Sequence, residues 1–511
     1  MAAPRYPPLE VLAKQAERVK HSSRAEIQRL IADSGATISS LDTQITALQS
    51  KIAQLLALRD HECAAATALR HFAAPVRTLP AELLSEIFLL SMLHDDDARH
   101  IQDAYRLSHV CSEWRAVAHD TSRLWTGHIS VCIAPDSSKE EKSYLVFRAW
   151  LARSAPHTLS IAVRCRQSER SLVSIPTHSH IAEVIRVAPR WRFLDLCSIP
   201  GVFLQQLCRA GTLDALEELD IWTVELAGAQ IDLATISCFL TAPRLRKLTT
   251  SSNCPIPMPW KQLTDITLTI QHPDLVSNIL MQSLNVVRAS FRVNASTGST
   301  TQIASRCELN YLRHLSLTTI GADGLQFMWL LDLISAPALD ELSLSSRHRD
   351  SPHWVQSSFT AFQLCSPNIT KLVIAGHDMR IPPPALHAAL RHAPALTQLT
   401  LDDCSRSFDH HVLHALTYKT GVPPLVPRLQ TLNLTCLEIS GMEDVVASMI
   451  GSRWWTDEEL ASYPTPPTVT RWVEVNLDDC SWFNEYAFTE SFKDAMETLR
   501  RTGLAVVVDT K

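Results

Sequence analysis

The sequence predicts an α/β chain: a coiled-coil-like helix, a compact three-helix module and an irregular array of strand-and-helix units with a parallel sheet. Three observations predict it: a three-and-four spacing of apolar residues from Ile38 to Leu55, an excess of apolar side chains at helical spacing between Pro75 and Val131, and a short apolar pattern recurring from Trp191 to Leu434. They divide the chain into a disordered tail over 1–20, a helical, coiled-coil-like segment over 21–70, a helical module over 75–131 and a recognition domain of repeats over 138–511.

Composition limits what such a chain does. With 511 residues, 46% of them apolar, it has material for two or three folded units. Its 47 basic and 53 acidic residues are mixed along the sequence and sum to a net charge of -6, so no basic stripe offers itself to a phosphate backbone and no nucleic-acid partner is expected. The 13 cysteines run singly from Cys63 to Cys480 without a C-x-x-C pair, as reduced thiols do in the cytoplasm or nucleus. Met1 to Glu10 contains no long apolar run behind a basic start, the mark of a secretory signal. The most apolar stretch, Leu325 to Ile334, is too short to span a bilayer and carries Gln326 and Asp332, so no membrane partner is expected. The N-x-[ST] sequons at Asn294, Asn368 and Asn433 read as chance matches in an intracellular chain.

Ile38, Leu41, Ile45, Leu48, Ile52 and Leu55 alternate spacings of three and four and form a heptad seam. Isoleucine at one seam position and leucine at the other favour a parallel two-stranded coiled coil, hence a homodimer. The alternative is a helix that folds back on the next domain, since the pattern lasts only about three heptads.

The module begins with Pro80 and Glu82, a proline suited to a first turn and a carboxylate near the positive end of the helix dipole. Leu83, Leu84, Ile87, Phe88, Leu89 and Leu90 then cover more than one helical face, more than a small domain buries by itself. An acidic loop, His94 to Asp97, precedes a second stripe formed by Leu107, Val110, Cys111, Trp114 and Ala118, and Leu124 and Trp125 follow after a turn. Plain core is the alternative for aromatic and aliphatic residues at this spacing.

Residue order is more specific than spacing. Leu79-Pro80-Ala81-Glu82-Leu83-Leu84-Ser85-Glu86-Ile87-Phe88, then Val110-Cys111-Ser112-Glu113-Trp114-Arg115, then Leu124-Trp125, closely resembles the F-box in the form common among fungal F-box proteins. The departure is a longer, acidic segment between the first two helices, Ser91 to Asp103. The resemblance implies a three-helix motif that docks on the Skp-type adaptor of a cullin-RING ubiquitin ligase. By that analogy Leu79, Pro80, Leu83, Ile87 and Phe88 contact the adaptor, and Val110, Trp114, Leu124 and Trp125 contact it or support the helices.

Beyond Ser138, apolar residues recur at i, i+3 and i+5: Trp191/Leu194/Leu196, Leu216/Leu219/Ile221, Leu263/Ile266/Leu268, Leu312/Leu315/Leu317, Leu339/Leu342/Leu344, Ile369/Leu372/Ile374, Leu396/Leu399/Leu401 and Leu429/Leu432/Leu434. Weaker copies at Leu245/Leu248 and Leu284/Val287 fill the wide gaps. The last two positions alternate as in a strand, and stretches such as Gly324 to Leu333 and Pro384 to Arg391 between copies read as helices. The pattern looks like the leucine-rich repeat in degenerate form, with spacings from about 18 to about 33 residues. Two echoes point the same way: Leu401-Asp402-Asp403-Cys404-Ser405 returns at Leu477 to Ser481, and Ala-Pro-Ala-Leu occurs at Ala336 and again at Ala393. Glu490 to Arg501 reads as a helix and Leu504 to Val508 as a buried strand closing the array.

Little suggests catalysis. His410, His411 and His414 include an i, i+4 pair but no H-E-x-x-H, and the Asp402-Asp403 and Asp478-Asp479 pairs follow strands, where neighbours point to opposite faces. With 13 glycines and no G-x-S-x-G, P-loop or G-x-G-x-x-G, the chain is expected to use no cofactor or metal and to be no enzyme. The resulting expectation is a substrate-recognition subunit of an SCF-type ligase, binding the Skp-type adaptor, and through it a cullin, by the F-box and a protein substrate by the repeats. The alternative is a scaffolding repeat protein that does not promote degradation.

Overall fold

A computed structural model of the chain describes residues 13–14, 16–17, 24–92, 97–133, 140–165, 179–209, 212–222, 224–225, 232–251, 256–270, 274–293, 306–319, 328–346, 354–376, 381–404, 407–435, 441–479 and 488–510. Most of the expected tail over 1–20 lies outside the described residues, as do His94 to Asp96 of the acidic loop, residues 324–327 of the expected Gly324 to Leu333 helix, Ser405 of the first Leu-Asp-Asp echo and Cys480 and Ser481 of the second. The chain divides into two compact units, Met1–Ile87 and Phe88–Lys511.

In the first unit, Arg24–Phe72 is one helix of 49 residues. Its threonines close their hydroxyls on the preceding turn, Thr37 donating to the Asp33 carbonyl at 2.9 Å and Thr46 to that of Asp42 at 2.8 Å, so these polar groups are satisfied on a solvated helix. Ile38, Leu41, Ile45, Leu48, Ile52 and Leu55 are all exposed. The helix stops ahead of Pro75, which has no N–H to extend the ladder and instead opens the short turn Pro75–Thr78; the Arg77 guanidinium covers the Phe72 ring at 5.0 Å.

Helix Ala81–Ser91 crosses from the first unit into the second, and Asp97–His109 and Ser112–Asp120 follow. Cys111 caps the last of these, its Sγ accepting from the Trp114 N–H at 3.4 Å. Leu124 and Trp125, on the turn Ser122–Trp125, are fully buried, and the Trp125 indole N–H donates to the Ala118 carbonyl at 2.7 Å.

From Ile129 onward, ahead of the repeat boundary expected at 138, the described residues form one sheet of fourteen strands in chain order, each parallel to its neighbours. Two short bridges, Ile199–Pro200 with Val224–Glu225 and Cys307–Glu308 with Ile334–Ser335, lie outside it. The expected triplets are the buried positions of this sheet: Leu339, Leu342 and Leu344 have no exposed surface, and Leu342 and Leu344 pair in register with Leu315 and Leu317 on one side and Leu372 and Ile374 on the other. The first triplet residue sits in a turn, as where Leu339 N–H donates to Ala336 O and Leu396 N–H to Ala393 O, both at 3.1 Å; this is why Ala-Pro-Ala-Leu occurs twice.

Two expectations change. Leu284 is 51% exposed, and the buried set of that unit is Val286, Ala289 and Phe291, two residues further on, because the small Ala289 fills a slot where the pattern asks for leucine. The closing strand, Ala505–Thr510, is not buried throughout: among the described residues it pairs only with Glu474–Asp479, and Val506 is buried while Val507 is half exposed. A further unit uses Trp472, Val475 and Leu477, all buried. In register, Asp402 and Asp478 flank Thr435, which places the two Leu-Asp-Asp echoes two units apart at equivalent positions.

Helices Gln356–Leu364, Pro383–Arg391, His410–Leu416 and Glu443–Gly451 pack successively on one another. Gln363, 2% exposed, ties the first pair by donating to the Ala389 carbonyl at 2.7 Å. Arg453 is fully buried above the Trp472 ring, and its Nη2 donates to the carbonyls of Val426 at 2.8 Å and Leu425 at 3.2 Å. Burial lowers its pKa to about 10.

Candidate interaction surfaces

Along Ala81–Ser91, Leu83, Ile87 and Leu90 are exposed, at 53, 45 and 65%. Their spacing of four and three residues puts them on one face of that helix, while Leu84 and Phe88 lie on the buried side. Pro80 is exposed and Leu79 half-buried at the approach to the helix, and Val110, between the next two helices, is exposed.

The remaining expected contact residues turn inward. Phe88, 1% exposed, stacks on the half-buried Trp114 with ring centroids 4.8 Å apart, so it is core where adaptor contact was expected. Leu124 and Trp125 have no exposed surface. Burying an aromatic side chain of this size stabilises by roughly 1.5–3 kcal/mol, which explains these large residues without a partner.

A second surface is the solvent-facing side of the sheet. The residue two places after each triplet start points outward, and from Glu218 to Lys371 these residues make a ladder of acidic and basic side chains. Glu218 meets Lys247 at 3.5 Å, Asp265 meets Arg288 at 3.3 Å, and Glu341 lies between His314 at 3.2 Å and Lys371 at 2.9 Å. Burial raises the Glu341 pKa, but Lys371 and His314 outweigh it and hold the carboxyl below its usual range. The next outward row, two residues on, brings Thr249, Thr267, Ser290, Ser316 and Ser343 into register. Together the two rows line a groove of about 520 Å3. Further along the same row, Asn476 Nδ2 donates to Asn433 Oδ1 at 2.9 Å and Asn433 Nδ2 to Thr400 Oγ1 at 3.1 Å. Neither the ladder nor the row was anticipated, although both follow from reading two and four places beyond each triplet start.

The groups considered for catalysis do not converge. His410, His411 and His414 are exposed on a helix capped by Asp409, and among the described residues no group of three or more His, Cys, Asp or Glu could hold a metal ion. Burial, with Asp403 and Asp478 nearby, raises the Asp402 pKa. Of the sequons, Asn368 donates to the Pro337 carbonyl at 2.8 Å and Asn433 belongs to the amide ladder, while Asn294 lies outside the described residues. Among the described residues no helix is long and apolar enough to cross a membrane.

The F-box-like family model matches residues 76–128, so the chain carries an F-box-like domain there. Among solved structures, the leucine-rich repeat-containing protein LegL7 from Legionella pneumophila aligns at 12% identity with a TM-score of 0.31, over 74% of this chain and 99% of LegL7. TLR13, in its complex with ssRNA13, aligns at 14% identity with a TM-score of 0.28, over 63% of this chain and 58% of that one. No curated protein matches the sequence.

Proposed function

We propose that the chain is a non-catalytic substrate-recognition subunit of an SCF-type ubiquitin ligase, of the kind common among fungal F-box proteins. The observation that carries this reading is the exposed Leu83, Ile87 and Leu90 stripe inside the F-box-like match. Apolar side chains standing in solvent at helical spacing on a marked helix gain free energy by filling a partner's groove. The Skp-type adaptor is that partner, with a cullin beyond it; Leu79, Pro80, Leu83 and Ile87 contribute contacts, as does Val110.

The sheet's outward face, with its charge ladder and hydroxyl row, receives the protein substrate, because its side chains are not needed for the core. The exposed heptad seam of Arg24–Phe72 pairs two receptors and strengthens substrate capture through avidity. Ubiquitin transfer falls to the partner subunits, and this chain supplies proximity.

Copurification tests the reading. Wild-type protein is expected to retain the Skp-type adaptor and cullin, and a Leu83→Glu/Ile87→Glu variant with unchanged melting temperature is expected to lose both. Retention by that variant would sink the interface assignment.

A further inference from the structure

Helix Arg24–Phe72 runs unbroken past Leu55, so the three-and-four spacing of the seam can be followed further along it. The next positions in phase are Arg59, Glu62, Ala66 and Leu69, all exposed, and in the other direction Ser34 and Ile31, exposed as well. The apolar seam therefore resumes beyond Arg59 and Glu62. These two opposite charges are a polar step inside it, not its end.

In parallel coiled coils the positions flanking the seam usually set partner and direction through charge. A parallel, in-register pair of these helices would place Thr37 beside Asp42, Gln44 beside Gln49 and Lys51 beside Leu56 of the second copy, and none of these is an opposite-charge pair. Direction is left to the seam itself. Arg59 and Glu62 stand three residues apart, about 4.5 Å along the axis, the offset at which a seam residue of one helix meets the next seam residue of its partner.

We infer that Arg59 of each chain pairs with Glu62 of a second copy, so that two symmetric ion pairs fix a parallel, in-register dimer. The inference rests on the seam pairing proposed above. Within one chain Arg59 Nη2 holds Asp60 at 2.6 Å, with the two side chains 63 and 66% exposed. A pair so solvated weighs little and yields to one flanked by Leu55 and Leu69. Antiparallel helices do not offer the same contact. Opposing Ile45 to Leu48 sets Arg59 beside Ser34 and Glu62 against Ile31. Sliding such helices until Arg59 meets Glu62 leaves an overlap over 49–72 alone, with Ile38, Leu41, Ile45 and Leu48 unpaired. Charged side chains in the seam cost affinity and return a single direction and register.

Charge exchange in the full chain, read by sedimentation equilibrium, tests the pairing. Arg59→Glu and Glu62→Arg are each expected to weaken dimerisation roughly tenfold, because like charges then meet across the seam. The double exchange Arg59→Glu/Glu62→Arg, and an equimolar mixture of the two single variants, are expected to restore wild-type affinity, since opposite charges face each other again. Only the parallel register allows that restoration. Single variants that dimerise as tightly as the wild type, or weakened variants that neither exchange nor mixing restores, would overturn the ion pairs while leaving the seam dimer standing. A wild-type monomer at micromolar concentration would overturn the seam pairing and this inference with it.

Discussion

Trp125 meets Trp150 nearly edge to face, with ring centroids 4.9 Å apart and planes at 76°. Trp125 closes the F-box-like segment, and Trp150 belongs to helix Glu140–Arg153 of the repeat region. Tyr105 approaches both rings, and the Arg153 guanidinium covers Trp125 at 4.7 Å. The last residue of the module motif is thus a rivet into the repeats.

Trp125→Ala removes that rivet. Loss of a fully buried indole and its hydrogen bond to Ala118 should cost about 3–5 kcal/mol in chemical denaturation. Leu83→Ala, on the exposed stripe, should stay within about 0.5 kcal/mol. Similar costs for the two would mean that the inward and outward assignments are wrong.

Pairing through the heptad seam has a hydrodynamic signature. Sedimentation velocity should give a dimer for the wild type, and Ile45→Lys/Ile52→Lys should give a monomer, because two charges per helix at the seam would face each other across it. A wild-type monomer at micromolar concentration refutes the dimer.

The Glu341 carboxyl gives a pH dependence of known sign. Its folded-state pKa lies below the unfolded value, so its contribution is present above the unfolded pKa and is lost as pH falls through the folded one. Lys371→Ala takes away a strong stabiliser of the carboxylate and should flatten the fall in unfolding free energy on acidification. NMR titration of labelled glutamate should show the Glu341 pKa rising in that variant.

Arg453 is a buried cation whose hydrogen-bond partners are two carbonyls, and its Nε and Nη1 have no partner among the described residues. Arg453→Ala leaves a cavity and should cost about 2–4 kcal/mol. Arg453→Met restores most of the volume without an uncompensated charge and should cost less than half as much. Equal losses would show that the carbonyl hydrogen bonds, not the volume, dominate at this position.

The repeat sheet was legible because each unit buries leucines at fixed offsets; Leu342 and Leu372 sit in register as their spacing implied. Misreading came where a unit fills its core differently: Ala289 in place of a leucine shifted one unit by two residues, and Trp472 hid another. The helical module was legible from residue order, but which of its apolar residues face solvent was not. Phe88 and Ile87 are adjacent and similar in character, and only tertiary packing against Trp114 makes one of them core. The Trp150 partner of Trp125 had no local signal at all, since the two meet through the fold.

Among the described residues, every strand of the large sheet pairs only with the units directly before and after it in the chain. Such an array behaves as a line of coupled neighbours, so cooperativity passes from unit to unit without any shortcut. A severe defect in a middle unit, such as Leu342→Asp, would therefore uncouple the halves, and unfolding would change from one transition to two.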